Sequence, residues 1–261
     1  MTRILVTGAN GQLGQSIQRI ASNYPALEFF FKNSKDMDIT DTQNVAEIFE
    51  NGHYHYCINC AAYTNVEQAE SEQKKAFAVN AEGVRNIAEN CFKNDVTLIH
   101  ISTDYVFDGE KKEPYTINDK PNPINVYGAS KLKGEQYIRE IPGRYFIIRT
   151  SWLYSEFGNN FYKTILKKTK TDKVLRVTDK QKGCPTHAKN LANFVLGLID
   201  SRSTHYGLHH FTDGEAMTWY GFAKRILAEN GLENSLRLKK AKNYRTFARR
   251  PKNSVLATSY N

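Results

Sequence analysis

Ile4-Leu-Val-Thr-Gly8-Ala-Asn-Gly11-Gln-Leu-Gly14 is the stretch on which the fold turns. An apolar run at 4–6 reads as a strand, passes into glycines at three-residue spacing, and opens a helical stretch from Gln12 to about Ser22. Glycine permits the tight turn and lets backbone N–H groups approach a pyrophosphate at the positive end of a helix. Gly8, Gly11 and Gly14 are therefore candidate anion-binding residues.

Working outward, strand and helix signals alternate through the first 150 residues, as in successive βαβ units. Strands are expected at 27–31, 56–60, 96–102 and 145–150. Thr40-Asp-Thr-Gln43 has capping-box spacing and predicts a helix running to Asn51, ended by Gly52. One long helix is expected over 72–93 and another over 126–140, after a loop containing Pro114, Pro121 and Pro123. Beyond Thr150 the rhythm loosens, although 187–199 reads as an amphipathic helix, 207–211 as a short strand, and 219–230 as a helix capped by Thr218. The expected fold class is α/β: a Rossmann-type doubly wound parallel sheet with a smaller C-terminal substrate-binding lobe. Residues 1–150 with about 187–211 would form the dinucleotide-binding domain, and about 151–186 with 212–261 the lobe.

Composition narrows the functional classes. The 261-residue chain is 40% hydrophobic and 24% charged, proportions of a folded globular protein. No window approaches the roughly 20 consecutive apolar residues of a membrane-spanning helix. The start, Met1-Thr-Arg-Ile-Leu-Val-Thr7, has no signal-peptide order. A cytoplasmic protein is expected, with no membrane partner. The net charge of +9 comes from scattered Lys and Arg rather than a stripe, so no nucleic-acid partner is expected, while the field suits an anionic cofactor and substrate. Cys57 and Cys60 form a C-x-x-C, but on a strand residues three apart face opposite sides. With Cys91 and Cys184 they read as structural thiols.

An acidic residue about 20 positions past the glycine loop normally grips the adenosine ribose of NAD. Here the second strand ends Phe31-Lys32-Asn33-Ser34-Lys35, with no acid before Asp36. Lys32 or Lys35 can meet a 2′-phosphate, which favours NADPH and leaves NADH open; the alternative is that both are solvated loop lysines. Asp38 beside Ile39 can cover the adenine edge. Ala61, Ala62 and Tyr63, just past the third strand, would flank the cofactor.

Tyr127-Gly-Ala-Ser-Lys131 puts a phenol and an ammonium on one helix face. The phenol can protonate a carbonyl oxygen as hydride arrives, and the cation can lower a phenol pKa that starts near 10. Lys131 can also hold nicotinamide ribose hydroxyls. Ser102 or Thr103, at the end of the fourth strand, can hydrogen-bond a substrate carbonyl or the phenol, since ligands bind beyond the carboxyl ends of strands in such sheets.

These residues, with Asn59-Cys-Ala-Ala-Tyr-Thr64, Val66-Glu-Gln-Ala-Glu70, Ser102-Thr-Asp-Tyr-Val-Phe107, Asn125-Val-Tyr-Gly128, Arg149-Thr-Ser-Trp152, Gly158-Asn-Asn-Phe161, Gly183-Cys-Pro-Thr186 and Arg250-Pro-Lys-Asn-Ser254, resemble the dTDP-4-dehydrorhamnose reductase family of extended short-chain dehydrogenases. The resemblance covers nearly the whole chain. It implies reduction of a dTDP-4-keto-6-deoxy sugar in the last step of dTDP-L-rhamnose synthesis. It implies cofactor contacts from Gly11, Gln12, Leu13, Asp38, Ile39, Ala61, Ala62, Tyr63, Tyr127 and Lys131, catalysis by Tyr127, Lys131 and Thr103, and substrate contacts from Thr103, Asp104 and Trp152. Read from the residues alone, Trp152 is either a lobe-interface aromatic or a ring that stacks on a sugar or base.

Two departures stand out. The chain stops at Tyr260-Asn261, soon after the Arg-Pro-x-Asn-Ser motif, where family members usually continue through another helical stretch. Ser16 stands where some relatives carry a Glu associated with a metal-bridged dimer; no metal is expected, and a homodimer is left open. The motifs also fit a reductase of a different nucleotide 4-keto-6-deoxy sugar. A non-catalytic regulatory relative of methionine adenosyltransferase is the other alternative, against which Thr103, Tyr127 and Lys131 argue.

Overall fold

The computed structural model describes residues 1–242 and 246–259; the terminal Tyr260 and Asn261 lie outside the described residues. In chain order the first half comprises β1 (Thr2–Thr7), α1 (Gln12–Ile20), β2 (Leu27–Lys32), α2 (Thr42–Gly52), β3 (Tyr56–Asn59), α3 (Val66–Ala69), α4 (Gln73–Phe77), α5 (Gly83–Lys93), β4 (Thr97–Thr103), α6 (Val126–Glu140) and β5 (Tyr145–Thr150). There follow β6 (Leu153–Tyr154), α7 (Phe161–Thr171), β7 (Val174–Val177), β8 (Lys182–Gly183), β9 (Thr186–His187), α8 (Ala188–Asp200), β10 (Gly207–His210), β11 (Met217–Thr218), α9 (Trp219–Glu229) and β12 (Arg237–Lys240).

The central sheet is parallel throughout, in the order β10-β5-β4-β3-β1-β2. The direction of winding reverses between β1 and β3, and that switch point opens a crevice at the strand carboxyl ends. Ile4, Leu5 and Val6 are all wholly buried, which explains their unbroken apolar run: helices cover both faces of the sheet. Ile4 and Val6 join Ile58, Ile99 and Ile148 beneath α1 and α8, while Leu5 joins Cys57, Leu98 and Ile147 beneath α2, α5 and α6. Cys57 and Cys60 accordingly face opposite sides, Cys57 with Cys91 in one cluster and Cys60 against the other.

Local structure departs from the sequence reading at three places. Helix α2 is capped by Asp41, not Thr40: the Asp41 carboxylate accepts the N–H groups of Gln43 at 3.0 Å and Asn44 at 3.1 Å. The Thr40 hydroxyl is occupied by Asp38, and the Gln43 side chain reaches forward to Glu47. Gly52 is the last residue of α2 and His53, with φ 47°, takes the left-handed turn; Gly52 is small because a Cβ there would run into the Tyr54 ring. The single helix expected over 72–93 is α4 and α5 joined by a π-helical turn, Ala78–Glu82, a widening often found where a helix serves a site.

A second apolar cluster forms around Tyr154, Ile165, Val177, Phe222, Ile226 and Leu236, where α7 and α9 pack with the β7–β12 pair. The last segment then returns to the main sheet: Tyr115 exchanges backbone bonds with Val255 and Ala257, and the Ser259 N–H donates to the His210 carbonyl at 3.0 Å. Among the described residues no helix is long and apolar enough to cross a membrane.

Candidate active site

The glycine loop is shaped by close approach. Gly8 has φ +63°, and a Cβ on it would lie 2.6 Å from the Ala61 nitrogen; at Gly14 a Cβ would lie 2.6 Å from the Gly8 carbonyl oxygen. Gly11 stands at the N-cap of α1 and supplies no side chain to the first-turn N–H groups. Leu13 is buried in the core, so a ligand can meet it only through its backbone. The Gln12 side chain is engaged elsewhere, its Oε1 accepting from Ser155 at 3.0 Å and Asn160 at 2.7 Å. Lys32 adjoins the loop, its carbonyl accepting the Ala9 N–H at 3.1 Å, whereas Lys35 is exposed. Asp38 turns its carboxylate to the Thr40 N–H and hydroxyl, and Ile39 packs into the core against Gly83.

Across the crevice, Asn80 of the π-helical turn fixes the segment past β3. It accepts the Tyr63 N–H at 2.8 Å and donates to the Tyr63 carbonyl at 3.0 Å and to Ser130 of α6 at 3.0 Å. Ala61 is held by Asn59, whose Oδ1 accepts its N–H at 3.2 Å.

Helix α6 carries the candidate catalytic pair, Tyr127 and Lys131. Asn125 caps it by accepting the Gly128 N–H at 2.7 Å, and a Cβ at Gly128 would lie 2.0 Å from the Tyr105 carbonyl oxygen, so the helix start presses on the turn following β4. That turn, Asp104–Val106, is capped by Thr103, whose hydroxyl accepts the Tyr105 N–H at 3.2 Å and donates to Asp104 at 3.1 Å. The Tyr127 ring meets Tyr105 edge-on at 5.9 Å. Thr103, Asp104 and Tyr127 thus converge at the carboxyl end of β4.

Lys131 is almost wholly buried. Its Nζ donates to the Ile101 carbonyl at 2.7 Å and lies 3.2 Å from His100 Nε2. Burial pushes the ammonium down to about 8, with Glu135 and Cys60 pulling the other way. Burial also holds His100 well below 6.5, so this imidazole is neutral at physiological pH. For the phenol the expectation is reversed. Burial pushes Tyr127 up to about 12, against the lowering effect of the Thr103 hydrogen bond and with the Asp104 carboxyl raising it further. The hydroxyl therefore keeps its proton at neutral pH, the state an acid requires.

Ser102 is turned away from this site: its hydroxyl donates to Glu135 at 2.5 Å. Glu135 also takes Arg149 in a two-point pair, at 2.9 and 2.6 Å, with both side chains wholly buried. Of the two strand-end hydroxyls, Thr103 is the one beside Tyr127. Asn80, His100 and Glu135 were not singled out from the sequence. Only Glu135 carried a local signal, four residues past Lys131 on the same helix face.

Trp152 follows β5 in a left-handed conformation, φ 47°. Its indole stacks on Trp219 with centroids 3.5 Å apart and planes within 5°.

A glycine cradle at a switch point, with a half-buried Tyr and a buried Lys on one helix and a hydroxyl at the neighbouring strand end, accompanies a match to one family model over residues 1–260, described as the RmlD substrate binding domain. The chain belongs to the dTDP-4-dehydrorhamnose reductase family. A dTDP-4-dehydrorhamnose reductase of Aggregatibacter actinomycetemcomitans is 37% identical over 266 residues, 98% of this chain and 90% of the relative. The crystal structure of a dTDP-4-dehydrorhamnose reductase from Clostridium acetobutylicum superposes with TM-score 0.93 at 39% identity, covering 98% of this chain and 90% of that one. That of the Bacillus anthracis enzyme in complex with NADP gives 0.94 at 37% identity, covering 99% and 91%.

The reductase family motifs have structural work in this chain. Ser151 donates to the Cys184 carbonyl at 2.6 Å, clamping Arg149-Thr-Ser-Trp152 to Gly183-Cys-Pro-Thr186. Arg250 pairs with Glu67 at 2.7 Å, tying the Arg-Pro-Lys-Asn-Ser segment to Val66-Glu-Gln-Ala-Glu70.

Proposed function

We propose that the chain reduces the C4 carbonyl of dTDP-4-dehydro-L-rhamnose to give dTDP-L-rhamnose, with NADPH as the preferred cofactor. The observation that carries this reading is the convergence of Thr103, Tyr127 and Asp104 beside the buried Lys131 at the carboxyl end of β4. The glycine cradle fits a dinucleotide, because side chains at Gly8 and Gly14 would close the space that backbone amides need. The names of the relatives and the NADP complex of the Bacillus anthracis enzyme support the substrate and cofactor.

Gly8, Gly11, Gln12, Leu13 and Gly14 would hold the pyrophosphate side of the cofactor, Asp38 and Ile39 the adenine, Lys32 the 2′-phosphate, and Ala61, Ala62, Tyr63, Tyr127 and Lys131 the nicotinamide side. When bound, the cofactor supplies hydride. As the C4 carbonyl carbon is reduced, negative charge gathers on O4; the Tyr127 O–H bond breaks and its proton passes to that oxygen. Thr103 orients the phenol, and its hydroxyl, turning from Asp104, would donate to the phenolate that results. Lys131, held by Ile101 and His100, keeps its third N–H for the ribose. Asp104 and Trp152 position the sugar, with segments 151–186 and 212–261 forming the lobe around it. A cytoplasmic location fits the supply of both reactants.

The test is NADPH oxidation with dTDP-4-dehydro-L-rhamnose and identification of the product sugar. Formation of dTDP-L-rhamnose is the expected result. A folded protein that binds NADPH but leaves this sugar unchanged would sink the proposal.

A further inference from the structure

The chain has two tryptophans, and they are stacked face to face. Trp152 holds a backbone conformation that is costly for a bulky residue, so the surrounding contacts must over-determine it. They do so from both directions. Ahead of it, the Ser151 hydroxyl donates to the Cys184 carbonyl and accepts the Cys184 N–H at 3.3 Å; behind it, the Trp152 carbonyl accepts the Thr186 N–H at 3.3 Å.

The indole itself is held on one face and along one edge. Trp219 lies on its face, and Gly183 abuts its edge so closely that a Cβ there would fall 2.5 Å from Trp152 Cε2 and 2.6 Å from Nε1. Both supports belong to one small ribbon, since β8 pairs with β11 through Gly183 and Met217, and Trp219 immediately follows β11. Trp219 is fixed in turn by its indole N–H, which donates to Gln181 at 3.0 Å, and by Phe161 at 4.6 Å. The ribbon is tied back towards the turn after β4: Lys182 bonds Lys252 and Ser254 through the backbone, and Ser254 lies near enough to Asp104 to draw its carboxyl down.

We infer that Trp219 and Gly183 are positioning residues which set the plane of Trp152, so that the β8–β11 ribbon determines how the sugar nucleotide seats beside Tyr127. This rests on the reductase reading, in which Trp152 faces the sugar. Trp219 acts through Trp152 and touches no reacting atom.

The experiment compares Trp219→Leu, Trp219→Phe and Gly183→Ala, each with NADPH bound, in turnover of dTDP-4-dehydro-L-rhamnose and in titration with dTDP-L-rhamnose. Trp219→Leu should raise KM by about threefold to tenfold, the worth of one aromatic stack, with kcat and NADPH affinity close to the natural protein. Trp219→Phe, which keeps a ring on Trp152, should recover most of the loss. That variant also leaves Trp152 as the sole tryptophan, and its emission should change when dTDP-L-rhamnose binds. Gly183→Ala should raise KM without touching Trp219, which keeps the test decisive if Trp219→Leu fails to fold. An unaltered KM in folded Trp219→Leu or in Gly183→Ala would overturn the inference, as would a fall in NADPH affinity equal to the rise in KM. A natural protein that turns over none of the sugar removes the reductase reading and this inference with it; an active natural protein with indifferent variants removes this inference alone.

Discussion

Tyr127 and Asp104 sit in the same enclosed corner, and burial drives both towards their neutral, protonated forms. For Tyr127 this preserves the proton that the proposed mechanism donates. Tyr127→Phe removes one oxygen and little volume, so NADPH binding should survive while kcat falls by roughly 10²–10⁴-fold, the usual worth of a positioned acid; steady-state kinetics beside a cofactor titration measures both, and an unchanged rate would place the proton donor elsewhere. Asp104 gives a pH signature. Burial pushes its carboxyl from 3.8 up to about 7, with Ser254 and Thr103 drawing it back. The folded form therefore binds this proton more tightly than the unfolded chain, and the resulting stabilisation is full below pH 3.8 and lost as pH rises through about 7. Asp104→Asn needs no proton, so its stability should gain on the natural protein by at most about 1.4 kcal/mol per pH unit across that window. Denaturant unfolding at about pH 5 and about pH 8 would show it, and an equal difference at both values would contradict the assignment. The Tyr-x-x-x-Lys pair and the hydroxyl after the fourth strand were legible in the sequence because their spacing is local. The direction of the phenol shift was not, because it depends on how fully β4, α6 and the turn after Thr103 enclose the hydroxyl.

Helix α6 aligns Tyr127, Lys131 and Glu135 at successive four-residue steps, and its lower end is anchored to β5 by the buried Glu135–Arg149 pair. The pair also takes the Ser102 hydroxyl, so a single carboxylate joins β4, β5 and α6. Removing one member of a buried pair leaves the other charge without compensation. Glu135→Gln should destabilise the fold by about 3–5 kcal/mol, read as a lower midpoint in denaturant; a loss below about 1 kcal/mol would mean that Arg149 finds another acceptor. The boundaries of α6 and β5 followed from periodicity. The π-helical turn before α5 did not, since Ala78-Val-Asn-Ala-Glu82 is ordinary helical sequence whose extra residue is accommodated only because Asn80 is drawn to Tyr63 and Ser130.

For the whole molecule, charge is divided unevenly. Segments 151–186 and 212–261 carry eighteen Lys and Arg against seven Asp and Glu, whereas the rest of the chain carries eighteen against twenty. A pyrophosphate-bearing sugar approaching those segments meets an attractive field that salt screens. Raising ionic strength from about 50 to about 500 mM should lower kcat/KM for the sugar nucleotide while leaving kcat nearly constant. A kcat/KM indifferent to salt would show that the field plays no part in capture.

What the sequence determined by itself is whatever neighbours along the chain can encode. The glycine spacing after Ile4-Leu-Val-Thr7, the alternation of strand and helix, and the one-face placement of Tyr127 and Lys131 all follow from backbone sterics and repeats of a few residues. Only the tertiary structure decided that Lys131 is held by His100, that Ser102 serves Arg149 through Glu135, and that Trp152 is stacked on Trp219. Each of those contacts joins residues that no local repeat relates, brought together by sheet register and by a returning ribbon, and their energies depend on a burial that exists only once the layers have packed.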